Sequence, residues 1–279
     1  MDGYKKIVNV LTKTYPELMP NDFTHEYVIQ WREHVLKSAK PVTWNNYARH
    51  LRSLYNFAIE YQFISLDKNP FTKLFITEDK AKRKTLSIDQ INVIHDLLCS
   101  KENLPDILTP RWFILALFQT FRYTGIRRSQ LTKLRICDID LERKVISIPS
   151  HINKNHHYHE IPISKKLYPY LCKLKFEMLR LKQTEKDQLF NINKVSKVVV
   201  NRGGEMSVNQ VSHIFSVISK LVGFYVSAHR FRHTIATQLM KNVDNVYSVK
   251  QLLGHCDIKV TLSYIEYDSE MIRECVDGL

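Results

Sequence analysis

His229-Arg230-Phe231-Arg232-His233-Thr234 carries four basic side chains in five successive positions. On a helix, residues 229, 232 and 233 stand at i, i+3 and i+4 and share one face, so two imidazoles and a guanidinium would meet there as an anion-binding surface. His229 adds a group that can exchange a proton near neutral pH. A lone histidine on a helix is most often structural, but three basic groups on one face point beyond that.

Two further stretches frame this one. Upstream, Thr124-Gly125-Ile126-Arg127-Arg128-Ser129-Gln130-Leu131 follows an apolar helix and opens another, with Gly125 at the turn. An arginine at a helix N-terminus is placed to hold phosphate, because its fork adds to the oriented backbone N–H groups. Taken singly it reads first as a surface arginine. Downstream, Leu252-Leu253-Gly254-His255 has the pattern of a helix closed by glycine, and Tyr264 follows nine residues after His255. Tyr264 alone would be a core residue. A phenol, with an ordinary pKa near ~10, becomes a nucleophile only where cations stabilise the phenolate and the charge growing on the group it attacks. Arg127, Arg232, His229 and His255 are candidates for that task.

Around these stretches the spacing predicts a mostly helical region. Ser87 is the N-cap of a helix whose face is Ile88, Ile91, Ile94, Leu97 and Leu98. A second helix follows Pro110 and runs through Trp112 to Phe121, and others span 164–181, 208–221 and 234–240, with a Gly-Gly turn at 203 and 204. Between them, Lys144 to Pro149 and His159 to Ile163 read as a β-hairpin with Lys154 near its tip.

The N-terminal part has a different character. Residues 23–62 read as two amphipathic helices, the second starting near Pro41 with Trp44, Tyr47, Leu51, Leu54, Tyr55 and Ala58 as its apolar stripe. Arg49, His50 and Arg52 lie on its other face, either as solvated charges or as phosphate contacts. Asn69-Pro70 is expected to stop the helical region. The charged run from Glu78 to Lys84 marks a boundary: a helical domain over 1–79, a linker over 80–86 and a larger domain over 87–279.

Of the 279 residues, 41 are Lys or Arg and 28 Asp or Glu, a formal charge of +13 that favours a polyanionic partner. Residues 1–80 contribute 11 basic against 9 acidic groups, so 30 against 19 fall in the rest and the attraction concentrates there. The composition excludes a disordered, collagen-like or disulfide-stapled chain. Cys99, Cys137, Cys172, Cys256 and Cys275 form no C-x-x-C pair and are expected to stay reduced, as in a cytosol. No signal core or membrane span is visible, so a cytoplasmic protein with no membrane partner is expected. His151, His156, His157 and His159 lack a cysteine or carboxylate set for a metal site, and are expected beside the polyanion with Lys154, making activity depend on pH between about 6 and 7.

The boxes Thr-Gly-Ile-Arg-Arg-Ser at 124–129, His-Arg-Phe-Arg-His-Thr at 229–234 and Leu-Gly-His at 253–255, followed by Tyr264, resemble the tyrosine recombinase (phage-type integrase) family in order and spacing. The likeness covers about residues 20–270, with Thr43 through Asn69-Pro70-Phe71 similar to that family's core-binding domain. The resemblance implies a mainly α fold with a small antiparallel β-sheet: a helical, SAM-like DNA-binding domain and a mixed α/β catalytic domain. It implies a site-specific DNA recombinase that cuts and rejoins DNA through a 3′-phosphotyrosyl intermediate without metal, ATP or other cofactor. Tyr264 would be the nucleophile. Arg127 and Arg232 would clamp the nonbridging oxygens, Lys154 would protonate the leaving 5′ oxygen, His229 would accept the phenol proton and His255 would bond the phosphate. Thr43, Arg49, Arg52, Arg128 and Arg230 are candidate DNA contacts. Tyr267 does not fit the spacing from the Leu-Gly-His box. Gln130 departs from the acidic residue many members have there, which removes a charge beside the site.

By the same resemblance the partners are double-stranded DNA carrying a specific recombination site, three further copies of the chain in a tetramer on two sites, and an accessory DNA-bending or directionality factor; the setting is a prokaryotic nucleoid. Met271, Ile272, Cys275 and Val276, at helical spacing, pack either on a neighbouring protomer or within their own domain. About 20 residues precede the first core-domain helix, so the chain resembles Xer-like or mobile-element integrases without an arm-binding domain. Two other readings stand beside this one: a type IB topoisomerase relaxing DNA as a monomer, and a non-catalytic DNA-binding regulator.

Overall fold

The computed structural model describes residues 2–78, 84–100, 103–153, 156–196, 204–265, 273, 276 and 277. The chain divides into two compact units, 1–82 and 83–279. Lys154, Tyr267, Met271, Ile272 and Cys275 lie outside the described residues, as does Gly203.

The first unit is built from helices α1 (Asp2–Thr14), α2 (His25–Leu36) and α3 (Pro41–Glu60). Its core is aromatic: Trp31 and Trp44 are fully buried and meet edge to face with ring centroids 5.3 Å apart. The expected stripe on α3 is buried at Trp44, Leu51 and Tyr55 and half-buried at Tyr47, Leu54 and Ala58. Two expectations are corrected. The first core helix does not wait for about 20 residues, because α1 already buries Ile7 and Leu11, one turn apart. Asn69-Pro70 does not stop the helix, which ends at Glu60. Gln62 takes φ 58° there and the Phe63 amide returns to the Ala58 carbonyl at 2.8 Å. Asn69 instead ties the following segment to α3, donating to the Arg52 carbonyl at 2.8 Å while accepting from the Phe71 amide at 2.9 Å.

The second unit is mostly helical around one small sheet. Helix α4 (Ile88–Cys99) opens with the expected Ser87 cap, reciprocated by Gln90. Ile91, Ile94 and Leu98 are buried, but Ile88, at the first helical position, lies short of the packed turns and is 66% exposed. Helix α5 (Arg111–Thr124) is the centre of the unit, buried on nearly every side and packed by α4 and by two later helices. Helix α6 (Arg128–Leu131) follows the Gly125 turn. The hairpin is present as β2 (Val145–Ile148) and β3 (His159–Pro162), and β1 (Ile139–Asp140) adds a third antiparallel strand that two residues of sequence do not announce. The register pairs Ile146 with Ile161 and Ile148 with His159, so His159 shares the inward face.

Helices α7 (Tyr168–Arg180), α8 (Ile192–Val195) and α9 (Val208–Val222) complete the main core, with α7 against α5. Helix α10 (Ala228–Leu239) starts at the Ser227 cap, six residues before the expected start, and so takes the whole basic box into its first two turns. Helix α11 (Val246–Leu253) ends on Gly254 at φ 60°, and α12 (Ile258–Leu262) leads to Tyr264. Among the described residues no helix is long and apolar enough to cross a membrane.

Candidate active site

Three chain reversals bring the boxes together in the second unit. Helix α5 ends at Gly125, whose φ of 60° is the left-handed conformation a side chain resists. A Cβ at this position would stand 2.8 Å from Ile235 Cγ2 and 3.0 Å from Leu253 Cδ2. Gly125→Ala is therefore expected to lose about 2–4 kcal/mol, part from the backbone and part from overpacking, as read by urea denaturation. An unchanged midpoint would mean that the turn relaxes freely.

Arg232, 5% exposed, is the hub. Its Nη1 donates to the Gly125 carbonyl at 2.9 Å and its Nη2 to the Leu253 carbonyl at 2.7 Å, so one guanidinium joins the ends of α5 and α11. Nη2 also lies 2.9 Å from His255 Nε2. A guanidinium only donates, so Nε2 accepts, and the remaining His255 proton sits on Nδ1, 2.9 Å from Thr261 Oγ1. Burial, then the Arg127 cation, push Arg232 down to about 10, with Tyr264 opposing electrostatically; it stays charged at neutral pH. Burial likewise lowers Arg127, against the pull of Tyr264 and Cys256. Arg127 Nη1 is buried and has no hydrogen-bond partner among the described residues.

Tyr264 is 5% exposed and lies between two imidazoles. Its ring is nearly parallel to that of His255, centroids 6.1 Å apart, and tilted against that of His233 at 5.5 Å. His229 is exposed, with its ring centroid 4.1 Å from that of His233. Four expected residues, Arg127, Arg232, His255 and Tyr264, thus converge, while His229 approaches the tyrosine with His233 between them.

The other candidates have different surroundings. Arg128 is exposed and donates to Ser212 Oγ. Arg230 spends its guanidinium on backbone carbonyls: Thr85 at 2.8 Å, Lys84 at 3.3 Å, and Tyr225. It thereby fastens the strand-like entry to α4 onto α10. On α3 of the first unit, Arg49 and Arg52 are exposed and Thr43 is half-buried.

Asn153 was missed as a member of the site, and His159 was expected beside the polyanion with Lys154 but not given a place at the arginine centre. Burial, then Arg127 and Arg232, push His159 down to about 4, so the expected titration between about 6 and 7 does not come from this histidine. Strand alternation was the available signal, since His159, Ile161 and Ile163 share a face. Gln130 is buried, its Oε1 accepting from the Arg127 amide at 3.0 Å. Among the described residues no group of three or more His, Cys, Asp and Glu is arranged to hold a metal ion.

Residues 85–271 match the model of the phage integrase family. A Pseudomonas syringae protein provisionally named tyrosine recombinase XerC is 33% identical over 98% of this chain and 59% of its own length. A Pseudomonas aeruginosa protein of the same name is 33% identical over 97% of this chain and 65% of its own. The chain thus spans about three fifths of the length of these curated relatives. The fold is similar to that of the Tn1549 transposon integrase, solved in complex with transposon right end DNA, with a TM-score of 0.75 and 18% identity over 99% of this chain and 92% of that one. With the family model matched over 85–271, from the α4 entry past Tyr264, the chain belongs to the phage integrase family.

Proposed function

We propose that the chain is a site-specific DNA recombinase that cuts and rejoins duplex DNA through Tyr264. The observation that carries this reading is the convergence of Tyr264, stacked on the His255 imidazole that Arg232 holds, with two cations, Arg232 and Arg127, whose charged forms it favours. A phenol close to two cations meets the requirement for a phosphoryl nucleophile. Tyr264 Oη would attack phosphorus as Arg127 and Arg232 take up the charge growing on the nonbridging oxygens. The phenol proton would pass to His229 by way of the His233 side of the ring, and the departing 5′ oxygen would take a proton from Lys154. The 3′-phosphotyrosyl bond keeps the energy of the broken ester, so a second 5′-hydroxyl reverses the step. His255, with Nε2 already accepting, would orient the Arg232 fork rather than donate from that nitrogen. The partners proposed are double-stranded DNA with a specific site, a tetramer of this chain on two such sites, and an accessory factor.

The test is a nicked suicide duplex carrying a site taken from DNA beside the gene. A covalent protein–DNA product on a denaturing gel, with the linkage mapped to residue 264, is the expected outcome. Specific binding with no covalent product would overturn the reading in favour of a regulator. Relaxation of supercoiled plasmid without pairing of sites would favour a topoisomerase. The excess charge sets a second expectation. If about six phosphates are neutralised, duplex affinity falls about a thousandfold between ~50 and ~200 mM salt. A flat dependence in a filter-binding titration would count against a phosphate-clamping surface.

A further inference from the structure

His159 fits the site without having been assigned to it. A Cβ at Gly254 would lie 2.8 Å from His159 Cε1 and 3.0 Å from its Nε2, so the glycine that closes α11 leaves the room the imidazole occupies. His159 lines a cleft of about 300 Å³ with Asn153, Lys250, Gly254, His255 and Cys256. Lys250 is the cation in the cleft lining, His255 in that lining is held by Arg232, and the Arg127 and Arg232 charges act on the His159 ring.

Its protonation is set by a directed chain of amides. The Arg127 amide donates to Gln130 Oε1 at 3.0 Å, which turns Gln130 Nε2 toward Asn153 Oδ1 at 3.3 Å. The His157 carbonyl accepts from Asn153 Nδ2 at 2.7 Å, which fixes the other end of that amide as the donor. The same Nδ2 faces His159 Nδ1 at 3.3 Å, so Nδ1 accepts and the ring proton belongs on Nε2. Nε2 has no bonding partner among the described residues and is not sealed from solvent, so its N–H is open to the cleft.

We propose that His159 is a phosphate-contacting residue of this site, giving its Nε2–H to an oxygen of the phosphodiester held by Arg127 and Arg232, and that Gln130 and Asn153 fix the tautomer that allows it. The proposal rests on the recombinase reading for its substrate. It also gives Gln130 a positive task. A glutamate there has no N–H for Asn153 Oδ1, so the Asn153 amide is turned one way by the His157 carbonyl and the other by the carboxylate, and its hold on the His159 tautomer loosens.

Nitrogen-15 spectra of the histidine rings in the full chain test the relay without any catalysis, the His159 signals being assigned by their loss in His159→Gln. The expected result at pH 6.0 and 7.5 is an unprotonated Nδ1 and a protonated Nε2, with part of the proton population moved to Nδ1 in Gln130→Glu. An Nδ1–H tautomer in the wild type, or identical spectra for Gln130→Glu, overturns the relay. Inorganic phosphate is expected to shift the His159 Nε2 signal saturably, and no shift overturns the contact. On the nicked duplex, His159→Phe is expected to slow single-turnover cleavage tenfold or more with duplex Kd within twofold, while His159→Gln, which keeps an N–H, stays within fivefold of wild type. Wild-type cleavage by His159→Phe, or His159→Gln as slow as His159→Phe, overturns the role in cleavage. If the wild type forms no covalent product, the recombinase reading fails by itself, and the spectra and the phosphate titration still decide the tautomer and the contact.

Discussion

Tyr264→Phe is expected to give no covalent protein–DNA product at any time of incubation, while still binding the duplex and melting close to the wild type. The substitution removes one oxygen and keeps the ring. That ring packs with Ala236, Met240, Val249 and Leu253 in a small apolar cluster, and phenylalanine fills the same space. The contacts with His233 at 5.5 Å and His255 at 6.1 Å are between rings and survive as well. What is lost is the hydroxyl, whose electrostatic interaction with Arg232 favours the charged guanidinium. A denaturing gel and a thermal melt, run side by side, separate the two effects. A covalent band retained by Tyr264→Phe would put the nucleophile elsewhere, with Tyr267 the next residue to replace.

Arg232→Ala is expected to slow cleavage by about a thousandfold or more, and to do so by a route that Arg232→Lys does not rescue. Each donor removed from a developing oxyanion costs on the order of 10²–10³ in rate, and this guanidinium also positions His255. The alanine variant strands the Gly125 and Leu253 carbonyls and the acceptor nitrogen of His255 in a buried setting. Against that loss stands the relief of no longer burying a cation, so the net fall in stability is expected to be modest, about 1–2 kcal/mol. Lysine restores a charge but not a planar fork, and cannot reach both carbonyls and the histidine at once. Single-turnover cleavage alongside urea denaturation checks both numbers. Cleavage by Arg232→Lys within tenfold of wild type would show that charge alone suffices.

What the sequence disclosed was whatever depends on near neighbours. The Ser87 cap, the glycine ends at Gly125 and Gly254 and the i, i+3, i+4 face of α10 are local patterns, and they locate four of the converging residues. What stayed hidden depends on partners far along the chain. Arg230 looks like a free cation until Thr85 and Lys84, some 145 residues away, take its guanidinium. Strand alternation gives His159 its inward face, but its place at the site depends on the β2–β3 register and the approach of Gly254, and Asn153 joins through its bonds to Gln130 and His159. Helix α1 was passed over although Tyr4, Ile7, Val8 and Leu11 stand at i, i+3, i+4 and i+7; at 13 residues it is marginal alone, and contact with α3 gives that stripe a surface to bury against.

The two carbonyls that hold Arg232 belong to the C-terminal ends of α5 and α11, where the backbone dipoles present partial negative charge. Among the described residues no carboxylate lies within ion-pair distance of that guanidinium. Among the described residues the arginine is therefore held by helix-end carbonyls and the His255 imidazole rather than by a carboxylate. A carboxylate would have cancelled the charge and would then compete with any incoming phosphate, whereas helix ends stabilise the cation and leave its full charge unspent. Among the described residues, then, the place of a counter-ion at this centre is left to the anion it binds. Occupancy by DNA or a phosphate analogue should for that reason raise the melting temperature of the second unit, by linkage between anion binding and folding.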